Sequence, residues 1–229
     1  MSEERHSDAD SAILITDETA RAEREAANAL GQFDRVLDLI DDVVRGGRPL
    51  RLRVSMIQEL HRIALDGLSA YAGNWRPGDV RIHGSGHTPP KAHLVPALME
   101  EMCDWINERI GAASPITLCA YVMWRLNWIH PFDDGNGRTS RAAAYFVLCA
   151  AAGYRLQGRV TIPELIAANK APYYRALEQV DASARHQPEP DLTPMKELLE
   201  GYLAKQLADA FEAANAAKPA ASENDRKFH

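Results

Sequence analysis

From Arg138 to Ala152 almost every side chain is apolar or small, and Ala142, Ala143, Ala144, Tyr145, Phe146, Val147 and Leu148 run without a charge. A helix with no polar face cannot lie on a surface, so this stretch must run through the centre of a bundle. Only its start can stay open. That start is the segment His130-Pro131-Phe132-Asp133-Asp134-Gly135-Asn136-Gly137-Arg138-Thr139-Ser140-Arg141. A histidine, carboxylates, a Gly-Asn-Gly turn and two arginines meet there, where one apolar run gives way to the next.

Enough helices are encoded around it to do the covering. Leu30, Phe33, Leu37, Ile40 and Val44 recur at steps of three and four and end at Gly46-Gly47, which predicts an amphipathic helix. Ile57, Leu60, Ala64 and Leu68 predict a second, and Leu98, Met102, Ile106 and Ile110 a third. Ser114-Pro115 is an N-cap followed by proline at the first helical position, opening a run to Ile129. Thr161 and Glu164 form a capping box, Pro172-Tyr173-Tyr174 begins another helix, and Thr193-Pro194 begins the last, which reaches about Ala214. Pro188-Glu189-Pro190 reads as a linker. Between Gly73 and Pro90 the glycines and prolines surround one alternating piece, Val80-Arg81-Ile82-His83, which predicts a small β-hairpin. The fold class is all-α with that hairpin inserted.

Composition narrows the function. The formal charge of -6 argues against binding nucleic acid by bulk electrostatics, so any anion site has to be local. Cys103, Cys119 and Cys149 are far apart and lie in apolar helical runs, as buried free thiols would. Neither a secretory signal nor an apolar run of membrane-spanning length is present, which leads us to expect a cytoplasmic protein with no membrane partner.

The chemistry lies in the twelve residues. Pro131 cannot continue the preceding helix, so His130 falls just past its end. Gly135 and Gly137 permit a concave nest of N–H groups, to which the next helix adds its free N-terminal N–H groups. A phosphate chain fits that cradle. Arg138 and Arg141 lie three apart and can reach one anion from one helix face. Asp134 is suited to hold Mg²⁺ beside phosphate oxygens. His130 can be neutral at pH 7 and take a proton from an attacking hydroxyl.

As a whole, the segment resembles the signature of the Fic-domain family, His-x-Phe-x-(Asp or Glu)-Gly-Asn-Gly-Arg-x-x-Arg, with each fixed position present. Leu126-Asn127-Trp128-Ile129 resembles the family helix that delivers the histidine. Gly73-Asn74-Trp75-Arg76 and the hairpin resemble its flap, which in relatives clamps the target chain by strand addition. The flap residues are then Val80, Arg81, Ile82 and His83. Pro172 to Leu177 resembles the helix closing the nucleotide side. The resemblance implies a Fic-type helical bundle over residues 18–215, with its core at about 55–210. A polar segment, 1–17, would precede it and a disordered tail, 216–229, would follow.

It also implies a protein adenylyltransferase, with Mg-ATP as substrate and AMP left on a target Ser, Thr or Tyr. His130 would be the base and Asp134 the Mg²⁺ ligand. Gly135, Asn136 (its amide included) and Gly137 would hold the α/β-phosphate oxygens, Arg138 the β-phosphate and Arg141 the γ-phosphate. Phe132 would be a core anchor. Other Fic-type reactions stay open: transfer of phosphate, UMP or phosphocholine, or removal of AMP. So does a catalytically silent nucleotide-binding adaptor. Kinase-like relatives replace Gly-Asn-Gly, which is intact here, and a mere binder has no use for His130.

Many relatives restrain themselves with (Ser or Thr)-x-x-x-Glu-(Gly or Asn), whose glutamate pairs with the second motif arginine. Thr19 to Glu23 supplies the first five positions, but Arg24 follows where Gly or Asn belongs. Thr19 and Glu23 are therefore carried as a degenerate inhibitory segment; the alternatives are an antitoxin-like partner or no restraint. Self-association is common in the family. His83, His87 and His93 cluster without cysteine or carboxylate company, which suits a flap or surface better than zinc. Trp105, Trp124 and Trp128 read as core.

Overall fold

The computed structural model describes residues 13–187 and 189–216. The first twelve residues of the expected polar segment, Pro188 of the linker and residues 217–229 of the expected tail lie outside that range. Eight α-helices make up the described fold: α1 (Glu18–Val44), α2 (Val54–Ala64), α3 (Val95–Arg109), α4 (Pro115–Ile129), α5 (Asn136–Ala152), α6 (Ile162–Ala168), α7 (Lys170–Ala184) and α8 (Thr193–Ala216). α5 is the central one. It packs on α4 most extensively, and on α1, α2 and α6. Ala143, Ala144, Val147 and Cys149 are fully buried, as a helix without a polar face requires.

Local signals are accurate where capping chemistry sets a boundary. The Ser114 hydroxyl accepts from the Thr117 N–H at 3.2 Å and Pro115 opens α4. The Glu164 carboxylate accepts from the Thr161 N–H at 2.7 Å, closing the start of α6. The three cysteines are free and buried, and burial pushes the Cys103 thiol up to about 12 and Cys149 to about 11. Among the described residues no helix is long and apolar enough to cross a membrane.

Two expectations need correction. On α1 the expected positions Phe33, Leu37, Ile40 and Val44 pack on the core, but Leu30 is 70% exposed and the buried face also takes in Asn28, Gln32, Val36 and Leu39. The buried amides have a task there. Asn28 donates to the carbonyls of Ala64 (3.3 Å) and Asp66 (2.8 Å), and Gln32 donates to that of Leu60 (3.0 Å). Asn28 thereby satisfies carbonyls at and beyond the end of α2, where the helix supplies no partner, and Gln32 adds a second donor to a carbonyl of its last turns. The second correction is the hairpin. Among the described residues 73–90 form turns and extended chain with no strand. Val80 is buried, Ile82 half-buried, and Arg81 and His83 exposed, so the alternation survives without a ladder. Its backbone is held by side chains instead, above all Arg76, as described below.

A buried polar link ties α8 to the core. Gln206 accepts from the Ile162 N–H at 2.9 Å and donates to the Tyr145 hydroxyl at 2.9 Å. Gln206→Ala strands both groups in an apolar setting. Urea unfolding should show a loss of about 2–3 kcal/mol.

Candidate active site

His130 ends α4 in a left-handed conformation, φ 51° and ψ 58°, alone in positive φ among the described non-glycine residues. Pro131 forces the helix to stop, and this turn swings the imidazole toward the start of α5. Its Nδ1 is buried with no well-formed hydrogen bond. Burial holds its pKa down at about 3; the Asn127 backbone pulls the other way and Arg76 adds to the lowering. The ring is thus neutral at pH 7 and can accept a proton.

Gly135 caps α5 at φ 74°. An added Cβ there would stand 2.4 Å from Leu65 Cδ2, so both conformation and space demand glycine. The first backbone bond of α5 is Thr139 N–H to Gly135 C=O at 2.9 Å. The N–H groups of Asn136, Gly137 and Arg138 are left open at the positive end of the helix dipole. The Asn136 side chain does something else than expected. It accepts from Phe132 N–H at 3.0 Å and donates to Phe132 C=O at 2.9 Å, knitting the loop shut. A buried loop has to satisfy its own backbone, and here the amide does so.

Asp134 accepts from Gly135 N–H at 2.6 Å and pairs with Arg138 at 3.0 Å. Its side chain is 45% exposed and open to a cation. Among the described residues there is no group of three or more potential metal ligands. The donor set therefore fits Mg²⁺ carried in with phosphates, which needs only one or two carboxylates, and does not fit a metal caged by protein alone.

Arg141 is half-buried and makes no ion pair among the described residues. Desolvation works against its charge, and Tyr173 and Tyr174 lie near it. It lines one pocket together with His130, Gly137, Asn127, His87 and Ile82. A base, a helix start and an uncompensated guanidinium thus share one cleft. His87, expected only at the flap or surface, donates from Nε2 to the Trp128 carbonyl at 2.7 Å and faces this cleft.

Two further residues hold the parts in place. Arg76 has a fully buried side chain that donates to His130 C=O (2.8 Å), Gly78 C=O (2.7 Å) and Pro90 C=O, tying both ends of the flap to the histidine. His61 accepts from the Gly73 N–H at Nδ1 (2.9 Å) and so donates from Nε2 to the Asp134 carbonyl (3.0 Å). Its ring stacks on Phe132 at 3.6 Å and 5°, and burial holds its pKa near 4. His61 follows Ile57 by four and precedes Ala64 by three, so helical spacing already places it on the buried face of α2.

The degenerate inhibitory segment is placed differently from expectation. Glu23 is exposed. Two residues further on, Glu25 comes to 3.7 Å from Arg138; Arg21 lies 3.8 Å from Asp134, and Arg21 and Glu25 pair with each other at 3.2 Å. The start of α1 lies over the motif through these two residues.

A helical bundle whose central helix opens on a His-Pro-Phe-Asp-Asp-Gly-Asn-Gly-Arg turn has the fold of Fic-domain proteins. Residues 51–148 match the Fic/DOC family. Over 94 residues it is 37% identical to "Protein adenylyltransferase Fic" of Drosophila persimilis and 36% identical to that of Drosophila willistoni. These matches span 40% of this chain but only 18% of either relative. A Fic domain containing signaling protein from Bacteroides thetaiotaomicron superposes with a TM-score of 0.72 at 24% identity, over 90% of this chain and 78% of that one. Fic-1 from C. elegans does so with 0.67 at 22%, over 90% and 56%. Both likenesses establish the fold.

The two buried neutral histidines set an acid response. In the unfolded chain each takes a proton below about pH 6.5; in the fold they resist until about 4 and 3. Their neutral forms cost nothing above pH 6.5, and stability is lost as pH falls below it, by up to about 1.4 kcal/mol per pH unit for each. Denaturation between pH 6.5 and 5 should show this slope, and His130→Ala should make it shallower.

Proposed function

We propose that the protein is an adenylyltransferase that moves AMP from Mg-ATP onto a Ser, Thr or Tyr hydroxyl of a target protein. The observation that carries this is the shared cleft: neutral His130, the open N–H groups at the start of α5 and the unpaired Arg141. The triphosphate would lie along the backbone N–H groups of Asn136, Gly137 and Arg138, with Arg138 on the β- and Arg141 on the γ-phosphate. Asp134 would hold Mg²⁺, which would screen the phosphate charge. The hydroxyl oxygen forms a bond to the α-phosphorus while the bond to the pyrophosphate oxygen breaks. The hydroxyl proton passes to His130, and pyrophosphate leaves with the electron pair. Positioning and electrostatics supply most of the rate in such a transfer. The flap residues Val80 to His83 would present the target opposite the phosphates.

Labelled ATP separates this from the other transfers. Label from the α-position alone, on the protein itself or on lysate proteins, is the expected result; label from the γ-position alone overturns it. His130→Ala should cost about 10²–10⁴ in rate.

We further propose that α1 tempers the reaction through Glu25 rather than Glu23, because Glu25 competes with phosphate for Arg138. Glu23→Gly should leave self-labelling unchanged and Glu25→Gln should raise it. Equal rates for Glu25→Gln and the unaltered chain would remove this restraint.

A further inference from the structure

A second surface, sharing no lining residue with the cleft, has the make-up of a docking groove. It lies between α1, α2 and the connecting segment, where Arg45, Arg48, Arg51 and Arg53 stand within nine residues that include no acidic side chain. In a chain of charge -6 this local excess of arginine opposes the global trend. Leu39, Val43, Met56 and Phe146 line the groove with apolar surface.

The arginines divide into two groups. Arg35 is neutralised by Glu59 at 3.0 Å and 3.2 Å, a bidentate pair, and Arg48 by Asp42 at 2.9 Å. Arg51 and Arg53 make no ion pair among the described residues, and both are exposed. The backbone between them is rigid. Leu52 is 1% exposed, its N–H donates to the Asn107 side-chain carbonyl at 2.8 Å, and its C=O accepts from the Asn107 amide at 2.9 Å. Arg53 is extended, with φ -128° and ψ 145°. In extended chain alternate residues share a face, about 6.6 Å apart. With Leu52 turned into the core, Arg51 and Arg53 project together toward solvent at the groove. That is also the spacing of alternate side chains in an extended ligand.

We propose that this groove docks an extended acidic segment of another protein, of the form acid-x-acid beside one apolar side chain. The two carboxylates pair with Arg51 and Arg53, for which guanidinium geometry is suited. The apolar residue enters the floor. A nucleic acid is the less suitable occupant. Among the described residues of the groove only Arg51 and Arg53 lack an ion pair, two cations that match two carboxylates but not the run of phosphates along a nucleic-acid backbone.

Fluorescence anisotropy with the full chain tests the proposal. The probe is a short fluorescein-labelled peptide of alternating Glu and Ser with one central Leu. Saturable binding is expected, with about tenfold weaker binding for the Gln-for-Glu peptide and for single-stranded oligo(dT). The Arg51→Glu, Arg53→Glu double variant should bind the acidic peptide about tenfold more weakly or worse, with unaltered circular dichroism and melting. A charge-matched Arg175→Glu, Lys205→Glu variant should keep its affinity. Absence of binding to the acidic peptide would overturn the proposal. So would an unaffected Arg51/Arg53 variant, an equal loss in the charge-matched variant, or oligo(dT) binding as tight as the peptide. No ATP is present, so the result is independent of the proposed transfer reaction.

Discussion

A helix that is apolar all round has to be enclosed, and enclosing α5 organises the rest of this molecule. α1, α2, α4 and α6 surround its length, while its first turn is left open because its N–H groups have no partners inside the helix. The candidate cleft therefore lies at an end of the core that backbone chemistry keeps polar. Gly135 allows the approach, and any side chain there would collide with Leu65. The proposed phosphate site and the core packing have a common origin in this helix.

Around that open end, neutral hydrogen-bonding groups set the geometry and charged ones are left available. His61 and the Asn136 amide hold the loop without adding charge, since both imidazole nitrogens and both ends of the amide are bonded to backbone. Arg76 is the exception. It is a buried cation, made tolerable by three carbonyl acceptors, and its charge helps keep His130 neutral. The flap is anchored at both ends by this one side chain, which holds it in place without a strand ladder. Among the described residues Arg141 has no such partners, and it lines the cleft.

Patterns carried by short-range chemistry are legible in the residues alone. Ser114-Pro115, the Thr161–Glu164 box and the glycine turn at Gly135 mark boundaries through hydrogen bonds within a few residues. The hydrophobic steps of α2 also pick the right face. Those of α1 do so except at Leu30, and they miss Asn28 and Gln32, which face inward to serve carbonyls of Leu60, Ala64 and Asp66, more than twenty residues away in sequence. The same limit applies to the inhibitory segment. The family's inhibitory pattern singles out Glu23, but the rotation of α1 against α5, set by that packing, turns Glu25 toward Arg138.

By itself the sequence determined the all-helical class, the central place of α5 and the chemical identity of the motif from His130 to Arg141, because these follow from periodicity, proline and glycine stereochemistry and residue type. Tertiary structure decided which groups the motif keeps free. It committed the Asn136 amide to Phe132, left Arg141 unpaired, recruited His61 and Arg76 from other segments and turned Arg51 and Arg53 outward around Leu52. Each of those outcomes depends on burial and on partners distant along the chain, which local spacing does not encode.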